Sequence, residues 1–264
     1  VDAGGPFKSI SEHIGYAELT EIRRQKEEWA REAVHNIAGG EAGEMLKSYA
    51  ERGLLFVGKD RNDMLERAFQ DWKKGGIETP KEHLILAGTN QDIRKLNDRA
   101  QQERFSAGKL GSETLRVNGE TIFEGDRMLF TRNSRMYGVK NGTLGMVEKV
   151  DRKAQTLTAR LDSGEKTTIS LKHYDHVKLG YAVTTHKSQG MTVENSYVVL
   201  GGAMQDRELS YVQASRARGT TRLYTEEAEA GENLKEISKK MNQTHQKGLA
   251  MEHKQDNEKE VKPR

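Results

Sequence analysis

The chain has 264 residues, no cysteine and a formal net charge of +3. This length is enough for one large or two small domains with a buried core, and the lack of cysteine excludes a disulfide framework and a thiolate zinc site. Charged residues make up 31% of the chain and hydrophobic residues 34%, which predicts that part of it is solvated. No signal peptide and no long apolar run is evident, so we expect a cytoplasmic protein without a membrane partner.

Helical and strand patterns alternate over residues 1–110. Apolar residues at helical spacing predict helices around five positions, namely Ile10, Val34, Leu46, Phe69 and Leu96. The wholly apolar run Leu54–Val57 predicts a strand buried on both faces. Ala17–Ile22 and Leu84–Ala87 predict two further strands. Alternation of this kind indicates an α/β fold with a mostly parallel sheet and helices on both faces.

The pattern changes over residues 111–178. Five short β-prone runs are separated by turn pairs, which are Glu124-Gly125, Asn141-Gly142 and Ser163-Gly164. The runs are Thr121–Phe123, Arg127–Thr131, Thr143–Val150, Thr156–Leu161 and Lys166–Leu171. We therefore expect a small antiparallel β-barrel inserted into the α/β domain.

The α/β pattern returns over residues 179–225. It contains an apolar strand at Ser196–Leu200, a helix near Asp206–Arg218 and a strand at Arg222–Tyr224. Residues 226–264 are rich in Glu, Lys, Gln and Asn. This composition predicts a charged tail, a solvated helix that fades into disorder.

The segment Gly180–Glu194 carries the densest set of polar groups. It reads GYAVTTHKSQGMTVE and places hydroxyls, an amide, an imidazole and an ammonium around Gly190. Such groups hydrogen-bond phosphate and sugar oxygens, and a glycine lets the backbone approach a ligand closely. A polar loop that only caps a helix is the simpler interpretation of any one triplet, but it does not account for the whole string.

This segment resembles the fifth signature motif of superfamily 1 helicases of the RecD-like branch, especially the helicase part of conjugative relaxases of the TraA and TraI type. Leu19–Gln25 resembles the fourth motif of that family and Tyr211–Arg218 the sixth. Ile85–Asn90 with Leu96-Asn97 is similar to a short motif between them. Gly125–Arg127 and Asn141-Gly142 match the SH3-like barrel that these helicases carry as an insertion. The resemblance extends to about Tyr224.

The resemblance implies roles for particular side chains. Arg24 and Arg216 are the expected catalytic arginines, because a guanidinium offers a planar set of donors to the charge that develops at a γ-phosphate. Three further residues are expected at the nucleotide: Gln25, Gln189 and Gly190. Single-stranded DNA is the expected partner of Thr89, Asn90, Thr184, Thr185, His186 and Lys187, whose polar groups suit contacts that do not read sequence. Tyr181 is a candidate for base stacking, although a core position fits it better.

One feature departs from the family. The phosphate-binding loop Gly-x-x-x-x-Gly-Lys-Ser/Thr and the Asp-Glu metal box are both missing from the sequence. Val1–Gly5 matches the tail of the third motif, and the chain opens on Val rather than Met. We therefore expect the chain to begin inside a longer polypeptide whose first RecA-like lobe binds ATP and Mg²⁺. By itself the chain is expected to bind no cofactor and no metal and to hydrolyse no ATP.

Two alternatives remain beside the motor lobe. The first is a catalytically inactive module, derived from a helicase repeat, that binds single-stranded DNA or docks a partner. The retained Arg24 and Arg216 argue against it, because such a module needs no phosphate sensors. The second is an SH3-like adaptor for proline-rich peptides, which the lack of a dense aromatic groove disfavours. The conjugative transfer machinery is a further candidate partner of the tail, for which a solvated terminus is the default interpretation.

Overall fold

The computed structural model describes residues 24–244. Several predictions lie wholly or partly outside these residues: the helix around Ile10, the strand Ala17–Ile22, the third-motif match at Val1–Gly5, the first five residues of the fourth-motif match Leu19–Gln25 and the tail beyond Thr244. None of the described helices is long and apolar enough to cross a membrane.

Seven helices and twelve strands occur in the described residues. The helices are α1 (Glu28–Gly39), α2 (Ala42–Glu51), α3 (Arg61–Gly76), α4 (Asn90–Ser106), α5 (Arg207–Ala214), α6 (Glu227–Ala230) and α7 (Lys235–Asn242). The strands are β1 (Leu55–Gly58), β2 (His83–Ala87), β3 (Thr114–Val117), β4 (Glu120–Phe123), β5 (Arg127–Phe130), β6 (Leu144–Asp151), β7 (Thr156–Leu161), β8 (Lys166–Ser170), β9 (Val177–Leu179), β10 (Ala182–Thr184), β11 (Val193–Val199) and β12 (Ala217–Glu226). Short 3-10 turns occupy His186–Ser188 and Glu232–Leu234.

A five-stranded sheet in the order β1-β12-β11-β2-β10 forms the centre of the α/β domain, and all its neighbouring strands are parallel. Side chains alternate between its two faces because successive residues of a strand point to opposite sides. Ile85 and Ala87 of β2 pack with α3 and α4, whereas Leu84 and Leu86 pack with α1, α2, α5 and α7. The predicted parallel sheet with helices on both faces is therefore confirmed.

The segment between α4 and β10 forms the predicted antiparallel insertion. Its main sheet has the order β8-β7-β6-β5-β9, and β3 pairs with β4 as a separate hairpin. Gly125, Gly142 and Gly164 all have positive φ, at 87°, 93° and 96°, which explains the three predicted turn pairs. Its apolar interior is continuous with the α3 and α4 face of the parallel sheet. That the insertion is an SH3-like barrel stays a prediction.

A predicted strand and a predicted helix differ from the structure. The strand at Leu54–Val57 is not buried on both faces, because β1 is an edge strand, and Val57 is 39% exposed. The helix near Asp206–Arg218 ends at Ala214, because the residues from Ala217 onward form strand β12 of the parallel sheet.

The segment from residue 227 to residue 242 is helical as predicted, but one face of its last helix is buried. Ile237 and Met241 of α7 are fully buried against α2 and α5. Ile237 and Met241 are four residues apart and therefore lie on one helical face. The sequence prediction followed the charged composition of the segment and not this spacing. The tail beyond Thr244 lies outside the described residues.

Candidate DNA and nucleotide sites

The predicted DNA-contacting residues come together where two neighbouring parallel strands end. Thr184 ends β10 and pairs with Ala87, which ends β2. Thr89 and Asn90 follow β2 and are exposed. The Thr89 hydroxyl caps α4 by accepting a hydrogen bond from the Asp92 backbone N–H at 3.1 Å. Because the carboxyl ends of parallel strands meet at one edge of a sheet, two distant segments form one surface there.

A narrow cleft, called the basic cleft below, opens at this edge. Asn90, Thr184 and Lys187 line it, together with Arg94 of α4 and Lys178 of β9. None of these three cations forms an ion pair with another residue of the range 24–244. Burial, and second the charge of Lys178, lowers the pKa of Lys187. Such concentrated positive charge suits a phosphate backbone.

Asn97 fixes the helical wall of the basic cleft to its strand wall. Its side-chain amide donates to the Ala182 carbonyl at 2.9 Å and accepts from the Ala182 N–H at 2.8 Å. This is the pairing that a neighbouring strand would make with the free edge of β10. Asn97 is buried, and it therefore holds α4, with Asn90 and Arg94, in register with Thr184.

Thr185 is not at the surface of the cleft. Its side chain is 2% exposed, and its hydroxyl accepts a hydrogen bond from the Gln213 amide at 3.1 Å. The expected contact between Thr185 and DNA is corrected: the backbone turns at this residue into the 3-10 turn, which directs the side chain inward. His186 of the same turn is exposed, as its predicted role requires.

Arg24 and Arg216, the arginine pair, meet at Ser215. Arg24 Nη1 donates to the Ser215 carbonyl at 2.5 Å, and Arg216 Nη2 donates to its hydroxyl at 2.7 Å. Arg24 of the fourth-motif match thus lies against Ser215 of the sixth-motif match, 191 residues further along the chain. Backbone bonding supports this junction, because the Lys26 N–H donates to the Arg218 carbonyl at 2.9 Å.

The guanidinium of Arg216 donates hydrogen bonds to backbone carbonyls and has no carboxylate partner among residues 24–244. Its Nε donates to the Val212 carbonyl at 2.8 Å, and its Nη1 to the carbonyls of Ser188 and Met191 at 3.3 and 3.4 Å. Burial, and second the charge of Arg24, lowers the pKa of Arg216 to about 10, so it stays protonated at neutral pH. A buried cation without a counterion among residues 24–244 is costly, which favours an anion as its intended partner.

The three residues expected at the nucleotide lie in different surroundings. Gln25 is buried; its Nε2 donates to the Ala217 carbonyl at 3.1 Å, and its Oε1 has no partner within residues 24–244. Gln189 and Gly190 are exposed beside the insertion. Gly190 has a φ of +85°, and a Cβ there would contact nothing within 4 Å. The positive φ favours glycine at this position, and no described protein atom would clash with a side chain there.

Buried hydrogen bonds connect the arginine pair to the turn beside the cleft. Ser188 Oγ donates to the Thr185 carbonyl at 2.6 Å, and the Ser188 carbonyl accepts from Arg216. Gln213, which bonds the Thr185 hydroxyl, accepts from the Gln205 amide at 3.0 Å. Both ends of the 3-10 turn are therefore bonded to groups around α5, while His186 and Lys187 remain at its outer side.

Sequence reasoning missed several residues of these sites. Arg94 and Lys178 line the basic cleft, but no motif marks them, and Lys178 lies in the insertion. Ser215 and Gln213 lie within the sixth-motif segment without a role predicted for them. Tyr181 is fully buried and donates to Asp126 at 2.6 Å, as the core interpretation of that residue predicts.

Comparisons with known proteins agree with the resemblance. The AAA domain family matches residues 1–60. The conjugal transfer protein TraA of Agrobacterium fabrum is 34% identical over 228 residues, covering 85% of this chain and 20% of that protein. The ATP-dependent RecD2 DNA helicase of Deinococcus radiodurans is 27% identical over 230 residues, covering 83% of this chain and 30% of that protein. The chain thus spans about a fifth of the length of its TraA relative.

A solved structure shares the fold. The Pif1 helicase from Bacteroides, crystallised with ADP-AlF3 and ssDNA, aligns with a TM-score of 0.51 and 17% identity. The alignment covers 92% of this chain and 57% of that one. The RecA-like architecture predicted from the sequence is therefore confirmed.

Proposed function

We propose that this chain, a RecA-like lobe of the superfamily 1 helicase type with relatives among TraA conjugal transfer proteins, is the second motor lobe of an ATP-dependent DNA helicase. In this role it holds single-stranded DNA in the basic cleft and presents Arg24 and Arg216 to ATP bound by another RecA-like lobe. The observation that carries the proposal is the arginine pair, two adjacent guanidiniums without a carboxylate partner among residues 24–244.

The donor set of the arginine pair fits the phosphate end of a nucleotide. Guanidinium groups remain charged at neutral pH and offer parallel N–H donors to phosphate oxygens. When ATP is bound, its γ-phosphate bond supplies the free energy for movement. ATP and Mg²⁺ are held by the other lobe in this proposal. Arg24 and Arg216 contact the phosphates from this side and stabilise the charge that develops as the bond breaks.

The basic cleft fits the backbone of a single strand. Asn90, Thr184 and His186 offer donors and acceptors for phosphate and sugar, while the neighbouring cations supply attraction that is independent of base identity. A motor that moves along DNA needs such contacts, because base-specific bonds would hold it at one sequence. We assign the cleft to DNA and not to the nucleotide for this reason.

The bonded path from Arg216 through Ser188 to the His186–Lys187 turn supports a coupled motor. Closure of two lobes on ATP and reopening after hydrolysis would move this turn together with the arginine pair, so that the grip on DNA changes once per cycle. The similarity to TraA proteins supports a role for such a motor in conjugal DNA transfer. The alternative, an inactive single-strand-binding module, does not explain why Arg216 is buried without a carboxylate partner among residues 24–244.

Two measurements test the proposal. The chain is titrated with a fluorescently labelled oligothymidylate at several salt concentrations. We expect the logarithm of the association constant to fall linearly with the logarithm of the salt concentration. ATP hydrolysis is then measured for the chain alone and for the chain joined to a RecA-like lobe that carries a phosphate-binding loop. Hydrolysis is expected only in the joined form and should increase with DNA. Hydrolysis by the chain alone, or no DNA binding, would overturn the proposal.

A further inference from the structure

The basic cleft has walls from two units of the molecule. Asn90, Arg94 and Lys187 belong to the parallel-sheet domain, whereas Lys178 belongs to the insertion. The shape of the cleft therefore depends on how firmly the insertion is attached. Lys178 and Lys187, one on each unit, are like charges that line the same cleft and therefore repel each other. This repulsion favours an open cleft unless other contacts oppose it.

Asp126 lies at the junction of the two units and bonds to both. Its carboxylate is fully buried. Oδ1 accepts from the Tyr181 hydroxyl at 2.6 Å, and Oδ2 accepts from the Gln101 amide at 2.6 Å and from the Phe123 N–H at 2.8 Å. Gln101 is in α4 and Tyr181 directly precedes β10, whereas Phe123 and Asp126 are in the insertion. One buried carboxylate thus joins three segments.

Neighbouring contacts reinforce this junction. Gln101 also donates to the Thr121 carbonyl at 2.8 Å, and Arg104 of α4 donates to the Gly125 carbonyl at 3.1 Å. The ring of Tyr181 packs edge-on against Trp72, with ring centroids 5.9 Å apart. Burial raises the pKa of Asp126 to about 6, so the group is charged at neutral pH and accepts all three hydrogen bonds.

We propose that Asp126 and Tyr181 are positioning residues for the basic cleft: their hydrogen bond holds the insertion against the parallel-sheet domain, so that Lys178 stays opposite Lys187 and Arg94. This inference rests on the proposed function for its DNA readout only. Neither residue touches DNA. Tyr181 lies three residues before Thr184, and Asp126 lies three residues before Leu129, which lines the cleft; the junction therefore sits directly behind both walls.

A label-distance experiment tests the junction without DNA. The chain has no cysteine, so Lys95→Cys on α4 and Lys149→Cys on β6, both exposed, give two unique sites for spin labels. We expect one narrow distance distribution in the parent and a distribution at least twice as wide in Tyr181→Phe. Gln101→Ala is a second variant, because its half-buried position lets it fold even where Tyr181→Phe does not.

Tyr224→Phe is the matched control. Tyr224 is equally buried and donates to the Asp71 carboxylate at 3.0 Å, but both residues belong to the parallel-sheet domain. The Tyr224→Phe variant should lose a free energy of unfolding similar to that lost by Tyr181→Phe. It should keep the narrow spin-label distance distribution of the parent. The positioning role is overturned if Tyr181→Phe and Gln101→Ala both keep the distribution of Tyr224→Phe.

DNA binding gives the second readout. In Tyr181→Phe we expect oligothymidylate affinity to fall about fivefold with an unchanged salt slope, because every cation of the cleft remains. Unchanged affinity in a variant with a widened distribution would overturn the link to the cleft. Absence of DNA binding by the parent would instead overturn the proposed function, and the label distances would still decide whether the junction holds the insertion.

Discussion

The arginine pair and the basic cleft carry positive charge in different surroundings. Arg216 is 6% exposed, and its donors are bonded to backbone carbonyls and one hydroxyl. Arg94 and Lys178 of the cleft are exposed, and neither makes an ion pair among residues 24–244. A buried guanidinium with fixed hydrogen bonds suits one phosphate at one position, whereas exposed cations suit a backbone that must slide past.

The largest expected effect is that of replacing Arg216, which should impair ATP hydrolysis without weakening DNA binding. In a motor that contains an ATP-binding lobe, Arg216→Ala should lower kcat for ATP hydrolysis about 10³-fold, because an arginine at the γ-phosphate contributes on that order. Oligothymidylate affinity of the same variant should stay within about twofold. Hydrolysis is measured by phosphate release and affinity by fluorescence anisotropy.

The matched control is Arg218→Ala, an exposed arginine two residues further along β12, which should leave kcat unchanged. Equal losses in the two variants would mean that Arg216 acts only through folding. A loss of DNA affinity in Arg216→Ala without a loss of hydrolysis would reverse the assignment of the two sites.

The second effect concerns the cleft alone. Lys178→Ala combined with Lys187→Ala should lower the salt slope of single-strand binding by about 1.4, which is roughly 0.7 for each phosphate contact. At 50 mM salt this corresponds to a loss of affinity of about 65-fold by the same relation. ATP hydrolysis in the motor without DNA should be unaffected. The measurement is a titration repeated at five salt concentrations.

A charge-matched variant controls for net charge. Lys149 and Lys153 are exposed and do not line the cleft, so their double alanine variant removes the same two charges from another part of the insertion. Its salt slope should match that of the parent. Equal slopes in the two double variants would show that net charge, and not the cleft, binds DNA.

The third effect concerns the connection between the two sites at Thr185. Thr185→Val leaves the buried Gln213 amide without its acceptor, which should lower the free energy of unfolding by about 1–3 kcal/mol. Single-strand affinity should change less than twofold because the hydroxyl does not reach the cleft. Urea unfolding and anisotropy give the two values.

The control for this prediction is the neighbouring hydroxyl. Thr184 lines the cleft, so Thr184→Val should lose DNA affinity with a smaller loss of stability. The inverse result, in which Thr185→Val loses affinity at unchanged stability, would restore the role first expected for Thr185.

The smallest effect belongs to a single cation on α4. Arg94→Ala should lower the salt slope by about 0.7 and affinity at 50 mM salt by roughly eightfold. Lys95→Ala provides the comparison, because Lys95 is exposed on the same helix but does not line the cleft. A similar loss in both would indicate that the whole face of α4, and not the cleft, attracts DNA.

The sequence by itself determined the α/β class and the mostly parallel sheet, and it singled out Arg24 and Arg216. These depend on local apolar patterns and on motif strings, each of which is readable within about fifteen residues. Tight turns were equally readable, because Gly125, Gly142 and Gly164 must adopt positive φ.

Only the tertiary structure decided which residues share a surface. Lys178 reaches the cleft because the insertion folds back beside β10, and Thr185 leaves it because a 3-10 turn reverses the side-chain direction. The burial of Ile237 and Met241 likewise depends on α2 and α5, which precede α7 by many residues. Direction and burial are set by contacts between distant segments, and these contacts have no local signature in the chain.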